Sequence, residues 1–140
     1  MEKWIVYALV SMAFAGFTSV IAKAGLAGIS GELGLAVRTV FVFGFVIAFA
    51  LYAVPRAELG ALSGQNVLWL AASGLTTALS WIFYYKALKQ GDVASVVLID
   101  KGSVVVAIVM AWLLLGETIT WRILLGAALI VSGLVLIAKR

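Results

Sequence analysis

Two adjacent ionisable residues, Asp100 and Lys101, lie within a long apolar run of the chain. If a helix starts at Val93, Asp100 lies about 10 Å along it, roughly a third of the way across a bilayer core of about 30 Å. A charge at the bilayer centre costs about 2.5–3.5 kcal/mol on insertion scales, so each residue needs a partner, an aqueous cavity or an interfacial escape. Neighbouring helical residues point about 100° apart, so we expect these two not to pair with each other. At least one is expected to meet another helix.

Three further cations, Lys23, Arg38 and Lys86, are expected at a similar depth, which makes Asp100 a single carboxylate among cations. One interpretation is a cavity in which Arg38 and Lys101 bind an anionic group while Asp100 orients them. The other is a buried pair of Asp100 with Arg38 or Lys23, with Lys101 snorkelling to the headgroups. A planar guanidinium binds carboxylates in a fork, so the sequence predicts that Asp100 and Arg38 are coupled.

A second polar feature follows one face of a predicted helix, where Ser73, Thr77, Ser80 and Tyr84 recur at spacings of four, three and four. This hydroxyl stripe leads toward Trp81 and is able to line a solute path. The alternative is that these groups bond other helices or their own helix carbonyls, as Ser and Thr often do in membranes. We include Thr77, Ser80, Trp81, Tyr84 and Lys23 with Arg38, Asp100 and Lys101 as candidate substrate-binding residues.

Several kinds of chemistry lack their usual groups in this sequence. The chain contains no Cys and no His, which removes thiolate and imidazole catalysis and the usual zinc ligands. It also contains no phosphate-binding glycine motif and no nucleophile with a base. The ten basic residues are dispersed between apolar runs, unlike the basic stripe of a nucleic-acid-binding protein. We therefore expect a protein that is not an enzyme, with no cofactor, metal or nucleic-acid partner.

The elements that position these residues are long apolar runs. Of the 140 residues, 65% are hydrophobic and 11% charged, far from the balance of soluble domains. A membrane-crossing helix needs about 20 mainly apolar residues. The sequence predicts an all-α integral membrane protein, a single domain over 1–140, with five transmembrane helices over about 4–22, 35–54, 67–85, 93–115 and 121–138.

The ends of these spans carry the aromatic residues that favour membrane interfaces. One predicted side has Trp4, Tyr52, Trp69, Trp112 and Trp121; the other has Trp81, Tyr84 and Tyr85. The side of the N-terminus has three basic residues, Lys3, Arg56 and Arg122. The opposite side has six, which are Lys23, Arg38, Lys86, Lys89, Lys139 and Arg140. The positive-inside rule then predicts a multi-pass protein of the cell membrane with the N-terminus outside and the C-terminus in the cytoplasm.

Small residues recur within the spans and predict close helix contacts or dimerisation. Gly126 and Gly133 are the clearest case, in the fifth span. We expect a leucine at position 126 to disrupt packing or assembly.

Several segments in order resemble the short EamA-type members of the drug/metabolite transporter superfamily. The first half of the chain carries TSVIAKAGL at 18–26, AVRT at 36–39, SGL at 73–75 and SWIFYYKAL at 80–88. The second half carries IDKGS at 99–103, WLLLGE at 112–117 and LGAALI at 125–130. The resemblance covers essentially the whole chain.

This resemblance implies a five-helix bundle that is one half of an inverted-repeat transporter fold. It further implies a secondary transporter that exports or exchanges a small organic metabolite by alternating access, as a dimer of five-helix units. We expect a homodimer, and we favour an antiparallel one. The alternative is a dimer with an oppositely oriented partner protein. The alternatives are a non-transporting accessory subunit of a partner membrane protein and a component of a lipid-linked sugar flippase.

Overall fold

The chain folds into helices, and the computed structural model describes residues 2–138. The helices are α1 (Lys3–Gly25), α2 (Gly31–Ala53), α3 (Gly64–Gln90), α4 (Val93–Asp100), α5 (Ser103–Leu115) and α6 (Trp121–Ala138), with a short 3₁₀ helix at Arg56–Ala61 between α2 and α3. The predicted cytoplasmic cations Lys139 and Arg140 lie outside the described residues.

The predicted spans are confirmed as apolar helices. α1, α2, α3 and the continuous stretch Val93–Leu115 are each long and apolar enough to cross a membrane, and a shorter apolar helix follows at the fifth predicted span. Many large apolar side chains are exposed, including Phe45 at 74% and Leu51 at 83%. Lipid tails can cover such surfaces, whereas a soluble protein rarely exposes contiguous apolar patches of this size. The chain is an all-α, multi-pass membrane protein.

Helix starts differ from the predicted ones because polar caps extend the helices past the apolar runs. Ser30 accepts a hydrogen bond from the Leu33 N–H at 3.2 Å, so α2 starts at Gly31 instead of position 35. Ser63 accepts from the Asn66 N–H at 3.1 Å, and α3 starts at Gly64 instead of position 67. Arg38 therefore lies about 10 Å along its helix instead of near its start.

The structure divides into two compact units, unit 1 (Met1–Gln90) and unit 2 (Gly91–Arg140). In unit 1, the buried positions cluster where α1 ends, α2 begins and α3 ends. They include Leu26, Tyr85 and Leu88, with 2%, 4% and 0% exposure. Gly31 makes the closest backbone approach there, because a Cβ at this position would lie 2.8 Å from the Tyr85 carbonyl oxygen. A side chain at position 31 has no room against a backbone atom.

In unit 2, the stretch joining α4 to α5 keeps helical dihedral angles but tightens. The Gly102 N–H donates to the Ile99 carbonyl at 2.9 Å, and the Val104 N–H to the Lys101 carbonyl at 3.1 Å. These i→i−3 bonds are the 3₁₀ pattern, which within a longer helix often marks a hinge or local strain. The fourth predicted span is thus continuous, with one tightened turn directly after Asp100.

The close glycine contact in unit 2 involves Gly102 instead of Gly126. A Cβ on Gly102 would lie 2.9 Å from Leu134 Cδ1, whereas positions 126 and 133 have no atom within 4 Å among the described residues. Within the described part of unit 2, Gly126 and Gly133 therefore make no close contact with another helix. Their predicted role in packing or dimerisation stays a prediction.

Candidate functional site

The guanidinium of Arg38 lies against two aromatic rings of α3. Its Cζ atom is 4.4 Å from the centroid of the Trp81 ring and 5.9 Å from that of Tyr85. A cation over an aromatic face within about 6 Å is attracted by the ring quadrupole, by about 2 kcal/mol or more when desolvated. This cation–π contact holds the guanidinium against α3.

One nitrogen of the Arg38 guanidinium lacks a hydrogen-bond partner in the part of the chain that the structure describes. Its Nη1 atom is enclosed and has no hydrogen-bond partner among the described residues. Two carboxylates of unit 1 are engaged elsewhere: Glu32 pairs with Lys86 at 3.6 Å, and Glu2 accepts a hydrogen bond from the Trp4 indole. An enclosed charged donor without a partner is costly, so it calls for a ligand or another group to satisfy it.

Arg38 also lines a cleft of about 540 Å³ between α1 and α2. The walls of this Arg38 cleft are mainly apolar and include Ile21, Val37, Phe41 and Phe45. Arg38 is the one charged residue of the lining, and hydroxyl-bearing side chains come from Thr18 and Tyr85. Both the volume and the apolar walls with a few polar groups are typical of small-molecule sites.

The hydroxyl stripe predicted on α3 borders a second cleft of about 560 Å³, which includes Ser73, Thr77 and Trp81 in its lining. Thr77 donates to the Ser73 carbonyl at 2.8 Å, so its donor is used within the helix. Arg38 lines one cleft and Trp81 the other, which places their stacked pair at the boundary of the two.

Other predicted site residues make contacts that tie helices together. The Tyr84 hydroxyl donates to Ser19 Oγ at 2.8 Å, joining α3 to α1. Ser80 is exposed. Trp81 and Tyr85, which the sequence places at a membrane interface, contact Arg38 within unit 1. Thr77 and Tyr84 of the stripe thus donate to protein groups, while Ser73 and Thr77 line a cleft. A solute path along the stripe stays a prediction.

Lys23 belongs to a structural contact that we call the carbonyl clasp, formed by Lys23, Lys89 and three helix-end carbonyls. Lys23 Nζ donates to the carbonyls of Leu88 at 2.5 Å and Lys89 at 3.4 Å, near the end of α3. Lys89 Nζ in turn donates to the Leu26 carbonyl at 3.0 Å, directly after α1. Each lysine thus donates to carbonyls at the end of the other helix, where the positive charge also complements the negative end of the helix dipole.

In unit 2, Asp100 and Lys101 form an ion pair, with Lys101 Nζ 3.8 Å from Asp100 Oδ2. The expectation that these neighbours do not pair is wrong. α4 ends at Asp100, and the long lysine side chain bends back to the carboxylate within the tightened turn. Both side chains remain partly exposed, at 52% and 39% for Lys101 and Asp100.

The structure thus brings Arg38 and Trp81 together in unit 1, and Asp100 and Lys101 together in unit 2. The cleft-lining residues Thr18 and Phe41 were missed. A signal for Phe41 was present, because it lies three residues after Arg38 and so on the same face of α2. The candidates were selected for polar or interfacial character, so the apolar residues that line the cleft were not among them.

Coupling between Asp100 and Arg38 stays a prediction. We expect the losses of stability in Asp100→Asn and Arg38→Gln to show an interaction term of about 1 kcal/mol or more. Thermal unfolding of both single variants and the double variant in detergent measures this. Losses that add within about 0.5 kcal/mol would contradict the coupling.

Comparisons with known proteins identify the family of the chain. The EamA-like transporter family matches residues 2–139. A protein of Sinorhizobium sp. described as an uncharacterized transporter in the cobO 3'region is 37% identical over 137 residues, covering 98% of this chain and 97% of that protein. No solved structure matches the chain significantly. The extent of both sequence matches shows that the chain belongs to the EamA-like transporter family.

Proposed function

We propose that the chain is a secondary transporter of a small organic metabolite, located in the cell membrane and working by alternating access as a dimer. Membership of a transporter family and a relative described as a transporter support the class of function. The Arg38 cleft supports the proposed substrate class, because its volume of about 540 Å³ suits a small organic molecule.

One observation carries this proposal: an enclosed guanidinium nitrogen beside an apolar cleft, with no hydrogen-bond partner among residues 2–138. In a purely structural subunit we would expect a membrane cation to be paired, or an uncharged residue to occupy its position. The reason is that an unsatisfied charged donor destabilises the fold. In a transporter the donor is satisfied when substrate binds. This contrast favours transport over the accessory-subunit alternative.

The test is uptake by proteoliposomes that contain the purified full-length chain. A mixture of isotope-labelled organic acids, amines and sugars is added outside, and the trapped compounds are identified by mass spectrometry. We expect saturable accumulation of at least one compound above protein-free liposomes. If no compound accumulates in either loading direction, the chain is not a transporter of such metabolites, and the accessory role is favoured.

The proposed dimer predicts two orientations of the chain, because an inverted-repeat cavity needs units of opposite orientation. Native cysteine is absent from the sequence, so single cysteines report sidedness. Ala27→Cys follows α1, and Ala57→Cys lies in the 3₁₀ helix on the opposite predicted side; both positions are exposed. With a membrane-impermeant reagent on intact cells, an antiparallel homodimer gives partial labelling at both positions.

The matched pair also separates the alternatives. Complete labelling at position 57 with complete protection at position 27 would mean a single orientation with the N-terminus outside, as the basic residues predict. That outcome would contradict the antiparallel homodimer and leave a parallel dimer or an oppositely oriented partner protein.

A further inference from the structure

We infer that the Arg38 cleft binds an organic carboxylate with an apolar body, whose carboxylate meets the guanidinium and whose body lies along the walls of α1 and α2. This inference rests on the proposed function and names the substrate class of the same site. It makes Arg38 the residue that selects for anions.

The charge of the cleft is the first feature that selects a ligand. Arg38 is the one charged group of the cleft lining, and no carboxylate of the described part of unit 1 pairs with it. A guanidinium is charged at all accessible pH values and has five N–H donors in a fork that matches a carboxylate. Its chemistry therefore favours an anion over a neutral or cationic ligand.

The second step is pre-organisation. Contact with Trp81 at 4.4 Å holds the guanidinium in place, and its Nη1 atom has no hydrogen-bond partner among the described residues. Binding then costs less side-chain entropy than it would for a freely rotating arginine. Trp81 is in this account a positioning residue, because it acts through Arg38 and lines the other cleft.

The third step is the shape and polarity of the walls. Phe41 and Phe45 follow Arg38 at three and seven residues along one face of α2, and Ile21 faces them from α1. These side chains offer a ligand apolar contact and few hydrogen bonds. A small hydrophilic anion would bury none of this surface, so an apolar body is needed for tight binding.

The experiment compares four probes with the full chain in phosphatidylcholine nanodiscs, measured by isothermal titration. The probes are 4-phenylbutyrate, its neutral amide, 4-phenylbutylamine and acetate, which vary charge and apolar body separately. We expect 4-phenylbutyrate to bind best. Arg38→Gln is expected to weaken its binding by about 10- to 100-fold, the usual range for hydrogen bonds to a charged group.

Two further variants keep the result interpretable. Arg38→Lys retains the charge without the guanidinium fork, so it is expected to bind 4-phenylbutyrate with intermediate affinity. If Arg38→Gln fails to fold, Arg38→Lys takes its place in the comparison with the wild type. Trp81→Leu is expected to weaken the binding of 4-phenylbutyrate, and Trp81→Phe to restore part of it. A merely structural role of Trp81 would affect all four probes alike.

Equal affinity of 4-phenylbutyrate and its amide, or unchanged binding to a folded Arg38→Gln variant, would overturn the inference. Binding of anionic lipid alone, seen when phosphatidylglycerol is added to the nanodiscs, would also overturn it. Carboxylate binding without uptake in proteoliposomes would refute transport, whereas the inferred carboxylate site would stand. Uptake of amines or sugars that is independent of Arg38 would refute the site and leave transport intact.

Discussion

Replacement of Gly31 by alanine is expected to destabilise the protein by about 1–3 kcal/mol, the usual cost of inserting a methyl group into a packed contact. The added Cβ would lie 2.8 Å from the carbonyl oxygen of Tyr85, and a backbone atom cannot move aside as a flexible side chain can. The start of α2 would have to shift away from the end of α3. Thermal unfolding of the purified protein in detergent measures the effect.

Gly44→Ala is the matched control, because it lies in the same helix and its added Cβ would meet no atom within 4 Å among the described residues. Alanine favours a helix by up to about 1 kcal/mol over glycine, so this variant is expected to be as stable as the wild type or slightly more stable. Equal destabilisation by the two changes would show that the Gly31 contact contributes nothing specific.

The second large effect is expected for Lys23→Met, which removes one side of the carbonyl clasp. Methionine keeps the apolar stem but leaves the Leu88 and Lys89 carbonyls without this donor. Hydrogen bonds to charged groups contribute about 1.5–3 kcal/mol each, so we expect a stability loss of that order. Loss of stability without a selective loss of 4-phenylbutyrate binding would place Lys23 outside the substrate site.

Lys86→Met provides the comparison, since it removes the same kind of side chain from the same end of unit 1. Lys86 pairs with Glu32 at 3.6 Å, and both side chains are largely exposed, at 47% and 62%. Exposed ion pairs contribute about 0–1 kcal/mol, so its effect is expected to be the smaller one. A larger loss in Lys86→Met than in Lys23→Met would contradict the clasp.

The sequence predicted the membrane class and the five apolar helices because these depend on run length and composition alone. It misplaced the start of α2 by four residues, because an apolar run starts only after the polar first turn of this helix. The polar first turn, with Glu32, is stabilised by the Ser30 cap and the positive helix end. Helix ends are set by such local polar contacts, which a hydropathy pattern does not contain.

The site was predictable in part. An arginine inside an apolar run indicates function because a charge within the membrane is energetically unfavourable, and Arg38 was predicted on that ground. Its stacking on Trp81 depends on how α2 rotates and approaches α3, which spacing along one helix does not determine. The same limit applies to the glycines: Gly31 and Gly126 look alike in sequence, yet only the packed structure shows which one faces another backbone.

The carbonyl clasp had a sequence signal that was interpreted differently. Lys23 and Lys89 each lie in the last turn of a helix, where basic residues commonly bond free carbonyls. As membrane cations they were weighed as ligand groups or topology signals instead. Their pairing across two helices became visible only from the distances between Nζ atoms and the carbonyls.

Uptake of radiolabelled 4-phenylbutyrate into proteoliposomes, compared between the wild type and Arg38→Gln at matched protein content, tests most directly whether Arg38 serves transport. We expect saturable uptake by the wild type, and uptake near that of protein-free liposomes by Arg38→Gln that remains folded. Equal, saturable uptake by the two proteins would contradict it.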